Sequence, residues 1–92
     1  MEFDWDDAKN RRNVHKHGYS FADAAQVFAG VYLELEDTRY DYGERRYLVV
    51  GMLRTHVVVI CYTPRETDTY RIISMRKATK HEASAYYRQT SL

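Results

Sequence analysis

The stretch RRYLVVGMLRTHVVVICYT, Arg45 to Thr63, decides the fold. Its halves, Arg45 to Met52 and Thr55 to Thr63, are rich in Val, Ile, Leu and Tyr, and the short Leu53-Arg54 junction between them predicts a β-hairpin. Val57 to Cys61 is apolar without alternation, so its strand is expected at the sheet centre. Upstream, Val31, Leu33 and Leu35 alternate with Tyr32, Glu34 and Glu36, a strand with one wet side, and Asp37 to Glu44 reads as a polar turn around Gly43. Downstream, Pro64 to Asp68 is a turn, Thr69 to Arg76 a further strand, and Lys77 to about Arg88 a last helix.

The N-terminal third reads differently. Glu2 to Trp5 alternates like a short strand, Asp6 is a good N-cap, and the polar run Asp7 to His17 ends at Gly18, suited to a left-handed C-terminal position. Ser20 caps a second helix from Phe21 to Ala29, with Phe21, Ala24, Ala25 and Phe28 on one stripe and Gly30 as its stop. The resulting order, β-α-α-β-β-β-β-α, predicts an α+β domain whose helices cover one face of a largely antiparallel sheet.

With 92 residues, 45% apolar and one Pro, the chain fits a single domain, 1–92. The lone Cys61 excludes an internal disulfide and a Cys-based zinc site and points to a reducing compartment. The N-terminus lacks signal-peptide character and no apolar run reaches the ~18 residues of a membrane span, so a cytoplasmic protein without a membrane partner is expected. Charge is polarised. Residues 1–44 hold five basic and ten acidic groups, a balance of −5, whereas 45–92 hold nine and three, a balance of +6. Ten of the fourteen basic residues are Arg, whose planar fork suits phosphate, so a polyanion is the first partner to consider.

Several side chains are placed to do chemistry. On the first helix Lys9, Asn13, Lys16 and His17 fall on one stripe, and the helix has little apolar grip beyond neighbouring Trp5 and its own Val14. Strict alternation in the last strand sends Arg71, Ile73 and Met75 to one face and Tyr70, Ile72, Ser74 and Arg76 to the other. Arg65 and the run Glu44-Arg45-Arg46 would bring guanidinium groups to one sheet edge, where blunting the edge is the bland alternative. Tyr40, Tyr42, Tyr47 and Tyr70 suit base stacking but are also ordinary strand formers. Lys77 and Lys80 are expected in the first turn of the last helix, against its dipole. There is no His-Glu-x-x-His pair, phosphate-binding Gly loop or Gly-x-Ser-x-Gly elbow. Acid/base cleavage of a phosphodiester needs none of these, only a base, an acid and fixed cations.

The motif Trp5-Asp6-x-x-Lys9-x-x-x-Asn13-x-x-Lys16-His17-Gly18-x-x-Phe21-x-x-Ala24, with Glu44-Arg45, Gly51, Tyr62-Thr63, Arg65, Arg71-Ile72-Ile73-Ser74-Met75-Arg76-Lys77-Ala78 and Glu82, closely resembles the BrnT family of toxins over nearly the whole chain. Met75 and Tyr19 are departures in detail. The resemblance implies a RelE-like fold, metal-independent endoribonuclease activity that stops translation, no cofactor, and a cognate antitoxin carrying a ribbon-helix-helix DNA-binding region. DNA would then be reached only through the antitoxin, in a hetero-oligomer or beside a homodimer. Carried onto this chain, it implies that Arg65 and Arg76 hold the scissile phosphate, that Lys9 or His17 transfers protons, and that Glu44 orients or acts as base. Asn13, Arg45, Arg46, Tyr70, Arg71 and Lys77 would contact RNA. The rival reading is a non-catalytic basic module that docks an antitoxin or RNA.

Overall fold

The computed structural model describes residues 1–66 and 68–91. Strand β1 (Glu2–Asp4) leads to helix α1 (Asp7–His17), a 3₁₀ turn (Phe21–Asp23) running into α2 (Ala24–Ala29), strands β2 (Tyr32–Glu36), β3 (Tyr47–Leu53), β4 (His56–Arg65) and β5 (Thr69–Lys77), and helix α3 (Lys80–Thr90). The sheet order is β1-β5-β4-β3-β2, antiparallel except for β1 beside β5, so the apolar strand β4 is central as expected.

Local signals set the element ends. Asp6 Oδ1 accepts from Ala8 N (2.8 Å) and Lys9 N (3.1 Å), and Gly18 closes α1 at φ 79°, where a side chain would be strained. The last helix starts later than Lys77, because Thr79 and Glu82 form a reciprocal capping box: Glu82 N donates to Thr79 Oγ1 (3.1 Å) and Thr79 N to Glu82 Oε1 (2.8 Å). Lys77 therefore ends β5 and lies outside the helix.

One face of the sheet carries the main core: Val49, Leu53, Val58, Ile60, Tyr62, Ile72 and Met75 pack against Phe21, Ala24 and Val27. Contact there is close enough that a Cβ on Gly51 would lie 2.8 Å from Val27 Cγ1. Helix α3 does not join this layer. It crosses the opposite face, where the buried Tyr86 donates to Val31 O (2.7 Å) and Tyr87 reaches Met52 Sδ (3.8 Å). The expectation that all helices share one face is corrected accordingly. Val57, Val59 and Cys61 on that side are themselves buried, and an apolar central strand needs cover on both sides.

The second departure is a β-bulge. Cys61 pairs with Ser74 but Tyr62 pairs with Ile72, leaving Ile73 as an extra residue in β5. Simple alternation fails across it. Tyr70, Ile72 and Met75 share the core face, whereas Arg71, Ser74 and Arg76, paired with Thr63, Cys61 and Val59, share the opposite one.

Candidate active site

Helix α1 lies along the part of β5 that β1 leaves unpaired, since β1 reaches only Arg71. Asparagine docks it there. Asn13 Nδ2 donates to Met75 O (2.8 Å) and Tyr19 O (2.9 Å), its Oδ1 accepts from Met75 N (3.2 Å), and one turn earlier Asn10 Oδ1 accepts from Phe21 N (2.8 Å). Asn13 thus acts as a strand edge in side-chain form. It is buried with its amide spent on the fold, and Val14, expected as a grip, is 44% exposed.

The charged side chains of α1 flank this docking amide on the same stripe of the helix. Beside the bulge, Lys9, Arg12, Asn13, Lys16 and His17 of α1 and Ile73 and Ser74 of β5 line a recess of about 350 Å³. Lys9, Arg12 and Lys16 are exposed and His17 half-buried, and the three cations have no carboxylate partner among the described residues. Arg12 and Ser74 were not singled out from sequence as site residues. Arg12 lies three residues after Lys9 and four before Lys16, so helical spacing contained the signal, whereas Ser74 depends on the bulge.

Arg76 lies two residues beyond Ser74 on the same face. Its Nη1 and Nη2 donate to Glu82 at 2.8 and 2.9 Å, and Nη1 also reaches Lys77 O at 3.3 Å. The guanidinium holds the Glu82 carboxyl at about 2, below the usual carboxylate range, with the Thr79 backbone adding to it. Since Glu82 also caps α3, the Arg76 head is tied to a helix start.

The remaining predicted residues divide by position. Arg65 pairs with Thr69 at the far end of β4, and Arg76 with Val59, six residues away along the strand, or ~20 Å. The expected joint grip of Arg65 and Arg76 on one phosphate is therefore corrected: the fold separates them. Glu44 sits at the Arg65 end, 3.0 Å from Arg46 Nε and 3.8 Å from Arg65 Nη1, so guanidinium groups face both of its oxygens. Arg71 is 3.5 Å from Asp4, and Arg45 is exposed with its carbonyl accepting from Thr63 Oγ1 (2.7 Å). Tyr70 is on the core face, stacked on Tyr62 with centroids 4.3 Å apart, and so leaves the set of base-stacking candidates. Lys77 is exposed at the end of β5. Burial pushes the Cys61 thiol pKa up, which keeps it a neutral and poor nucleophile. No three His, Cys, Asp or Glu side chains converge as metal ligands among the described residues.

A family model described as "Ribonuclease toxin, BrnT, of type II toxin-antitoxin system" matches residues 5–82. Among solved structures, the chain is similar to the Brucella abortus ribonuclease toxin BrnT, determined by crystallography at 1.1 Å. The two are 27% identical with a TM-score of 0.71, over 87% of this chain and 99% of that one. No curated protein gives a significant match. The matched span takes in α1 and β5, the two elements that line the recess, together with the Arg76–Glu82 pair, and the chain belongs to the BrnT family of ribonuclease toxins of type II toxin-antitoxin systems.

Proposed function

We propose that this toxin is an endoribonuclease that cuts single-stranded RNA without a metal, in the recess between α1 and β5. The observation that carries the reading is the set of unpaired cations and an imidazole on α1, beside a guanidinium fixed on the adjoining sheet face. Chemically, a base removes the proton of a ribose 2′-hydroxyl, the 2′-oxygen bonds to phosphorus, and the P–O5′ bond breaks as an acid protonates the leaving oxygen. The products are a 2′,3′-cyclic phosphate and a 5′-hydroxyl. His17 and Lys9 share the proton transfers, Arg76 stabilises the dianionic phosphorane, and Arg12 and Lys16 hold the flanking backbone. Arg45, Arg46, Arg65, Arg71 and Lys77 extend the cationic surface for longer RNA, with Glu44 orienting Arg46 and Arg65.

A cognate ribbon-helix-helix antitoxin silences the enzyme by laying an acidic or amphipathic segment over the same cations, forming a hetero-oligomer that reaches DNA through the antitoxin alone. The site of action is the cytoplasm, where translation is the target. The test is incubation of a defined single-stranded RNA with the protein in EDTA, beside Arg76→Ala and an antitoxin-supplemented sample. Cleavage in EDTA, lowered by two to three decades in the variant and abolished by antitoxin, is expected by comparison with loss of one transition-state donor. RNA that is bound but left whole, with ribosomes present or absent, would establish the non-catalytic module instead.

A further inference from the structure

The two sides of the sheet end differently. On one, β1 is only three residues long and Asn13 closes β5 beyond it. On the other, the five residues of β2 form an edge with no strand outside them. Asp37 N–H donates to Arg46 O (2.8 Å), continuing the register that pairs Tyr32 with Gly51 and Glu36 with Tyr47. Backbone groups alternate in direction along an antiparallel ladder, so those of Leu33 and Leu35 face β3, whereas the N–H and C=O groups of Tyr32, Glu34 and Glu36 point outward.

Side chains alternate as well. Tyr32 packs on the core face, where Glu34 Oε1 accepts from Tyr62 OH (2.7 Å), and Leu33 and Leu35 lie on the face that α3 crosses. Val31, whose carbonyl accepts from Tyr86 of α3, extends this apolar row. Val31 is 66% and Leu35 53% exposed, and apolar exposure along an open edge is a template for another strand. Glu34 and Glu36 are exposed and have no cation partner among the described residues, so this edge repels RNA and acidic segments alike.

The register selects the occupant. Outward groups must meet outward groups, so two copies of β2 can pair antiparallel only about a residue, never about the peptide between two. Centred on Glu34 or beyond, the pairing sets carboxylate opposite carboxylate, and centred on Tyr32 or earlier it runs into α2 and leaves Leu35 against Ala29 or the residues before it. Centred on Leu33, Tyr32 exchanges two backbone hydrogen bonds with Glu34 of the partner subunit, and symmetry repeats them. The closer, non-hydrogen-bonded positions then set Leu33 against Leu33 of the partner subunit and Val31 against Leu35 of the partner subunit.

We propose that β2 is a self-recognition edge, through which two copies of this chain pair antiparallel about Leu33 and join their five-stranded sheets into one. The pairing goes beyond the ribonuclease reading and does not rest on it. Strand β5 lies three strands from the seam, about 14 Å, so the α1 recess stays open in both copies. A seam of two short strands falls below the ~1,200 Å² of standard interfaces, which makes the dimer reversible.

Sedimentation velocity over a concentration series reads the mass, 10.9 kDa for one chain. The wild type is expected to climb toward twice that value. Leu35→Lys, at an exposed position, should keep its Tm and remain at the single-chain mass, and Val14→Lys, exposed on α1, should follow the wild type. Leu33→Cys is expected to give a disulfide-linked dimer on mild oxidation, because Cα atoms of a non-hydrogen-bonded pair stand about 4.5 Å apart, within disulfide range. Leu35→Cys, which faces Val31 instead, should link far less, and the native Cys61 is buried and does not compete. The single-chain mass for the wild type throughout, an undiminished dimer in Leu35→Lys, or equal cross-linking at positions 33 and 35 would each overturn the pairing. A monomeric wild type whose antitoxin binding is lost in Leu35→Lys would overturn it too, assigning the edge to the antitoxin.

Discussion

Replacing Asn13 tests whether α1 is docked by its asparagine or lies on the sheet for other reasons. Asn13→Ala removes three hydrogen bonds and strands Met75 N–H and Met75 O where α1 shields them from water. One buried unsatisfied donor costs about 1–3 kcal/mol and each lost neutral bond about 0.5–1.5 kcal/mol, so the variant should lose roughly 2–4 kcal/mol. A domain of this size has only about 5–14 kcal/mol of stability, and 1 kcal/mol corresponds to about 4–8 °C in Tm, so a fall of roughly 10–25 °C is expected. Asn13→Asp adds a signature in pH. A carboxylate there would face the carbonyl oxygens of Tyr19 and Met75, raising its folded-state pKa above the unfolded value of about 3.9. Stability of that variant is then present at low pH and lost as pH rises through the raised value, so its deficit against wild type should shrink from pH 7 to pH 5. Urea unfolding followed by Trp5 fluorescence and far-UV circular dichroism measures both effects. An Asn13→Ala protein within about 0.5 kcal/mol of wild type, or an Asn13→Asp deficit independent of pH, would refute the docking role and return Asn13 to the RNA-contact set.

Two further perturbations follow from the packing and the ion pairs. Gly51→Ala would press a methyl within 2.8 Å of Val27 Cγ1 and 3.2 Å of Tyr32 Cβ, and should lower stability by about 1–3 kcal/mol in a thermal melt; an unchanged Tm would mean that α2 yields freely. Glu82, held at about 2 against an ordinary 4.5, is protonated first in the unfolded chain as pH falls, so its contribution is full above about pH 4.5 and disappears toward pH 2. With its side chain 30% exposed, that contribution is about 1–2 kcal/mol after screening, and Glu82→Gln should flatten this part of the acid-unfolding curve; equal acid sensitivity in the variant would show that Arg76 does not stabilise the fold through it.

Much of the architecture is legible in the residues because its causes are local. The period of two in 31–36, the apolar run 57–61 and the caps at Asp6, Gly18 and Ser20 each act within a few positions, so element order and the central place of β4 follow from reading along the chain. The candidate site is legible only in part. Lys9, Lys16 and His17 share a helical stripe and do meet in one recess, while Arg65 and Arg76 look like partners in sequence and end up separated by most of the length of β4. Only the tertiary structure decides three things. One extra residue at Ile73 switches Arg71 to the face of Arg76, buried Asn13 replaces a missing strand at the edge of β5, and buried Asp37 fixes the exposed Arg39 through two side-chain hydrogen bonds. The physical reason is common to all three: register, edge pairing and burial of a polar group depend on which groups the folded chain brings together, from two to sixty-two positions apart, and no hydrophobic periodicity encodes that choice.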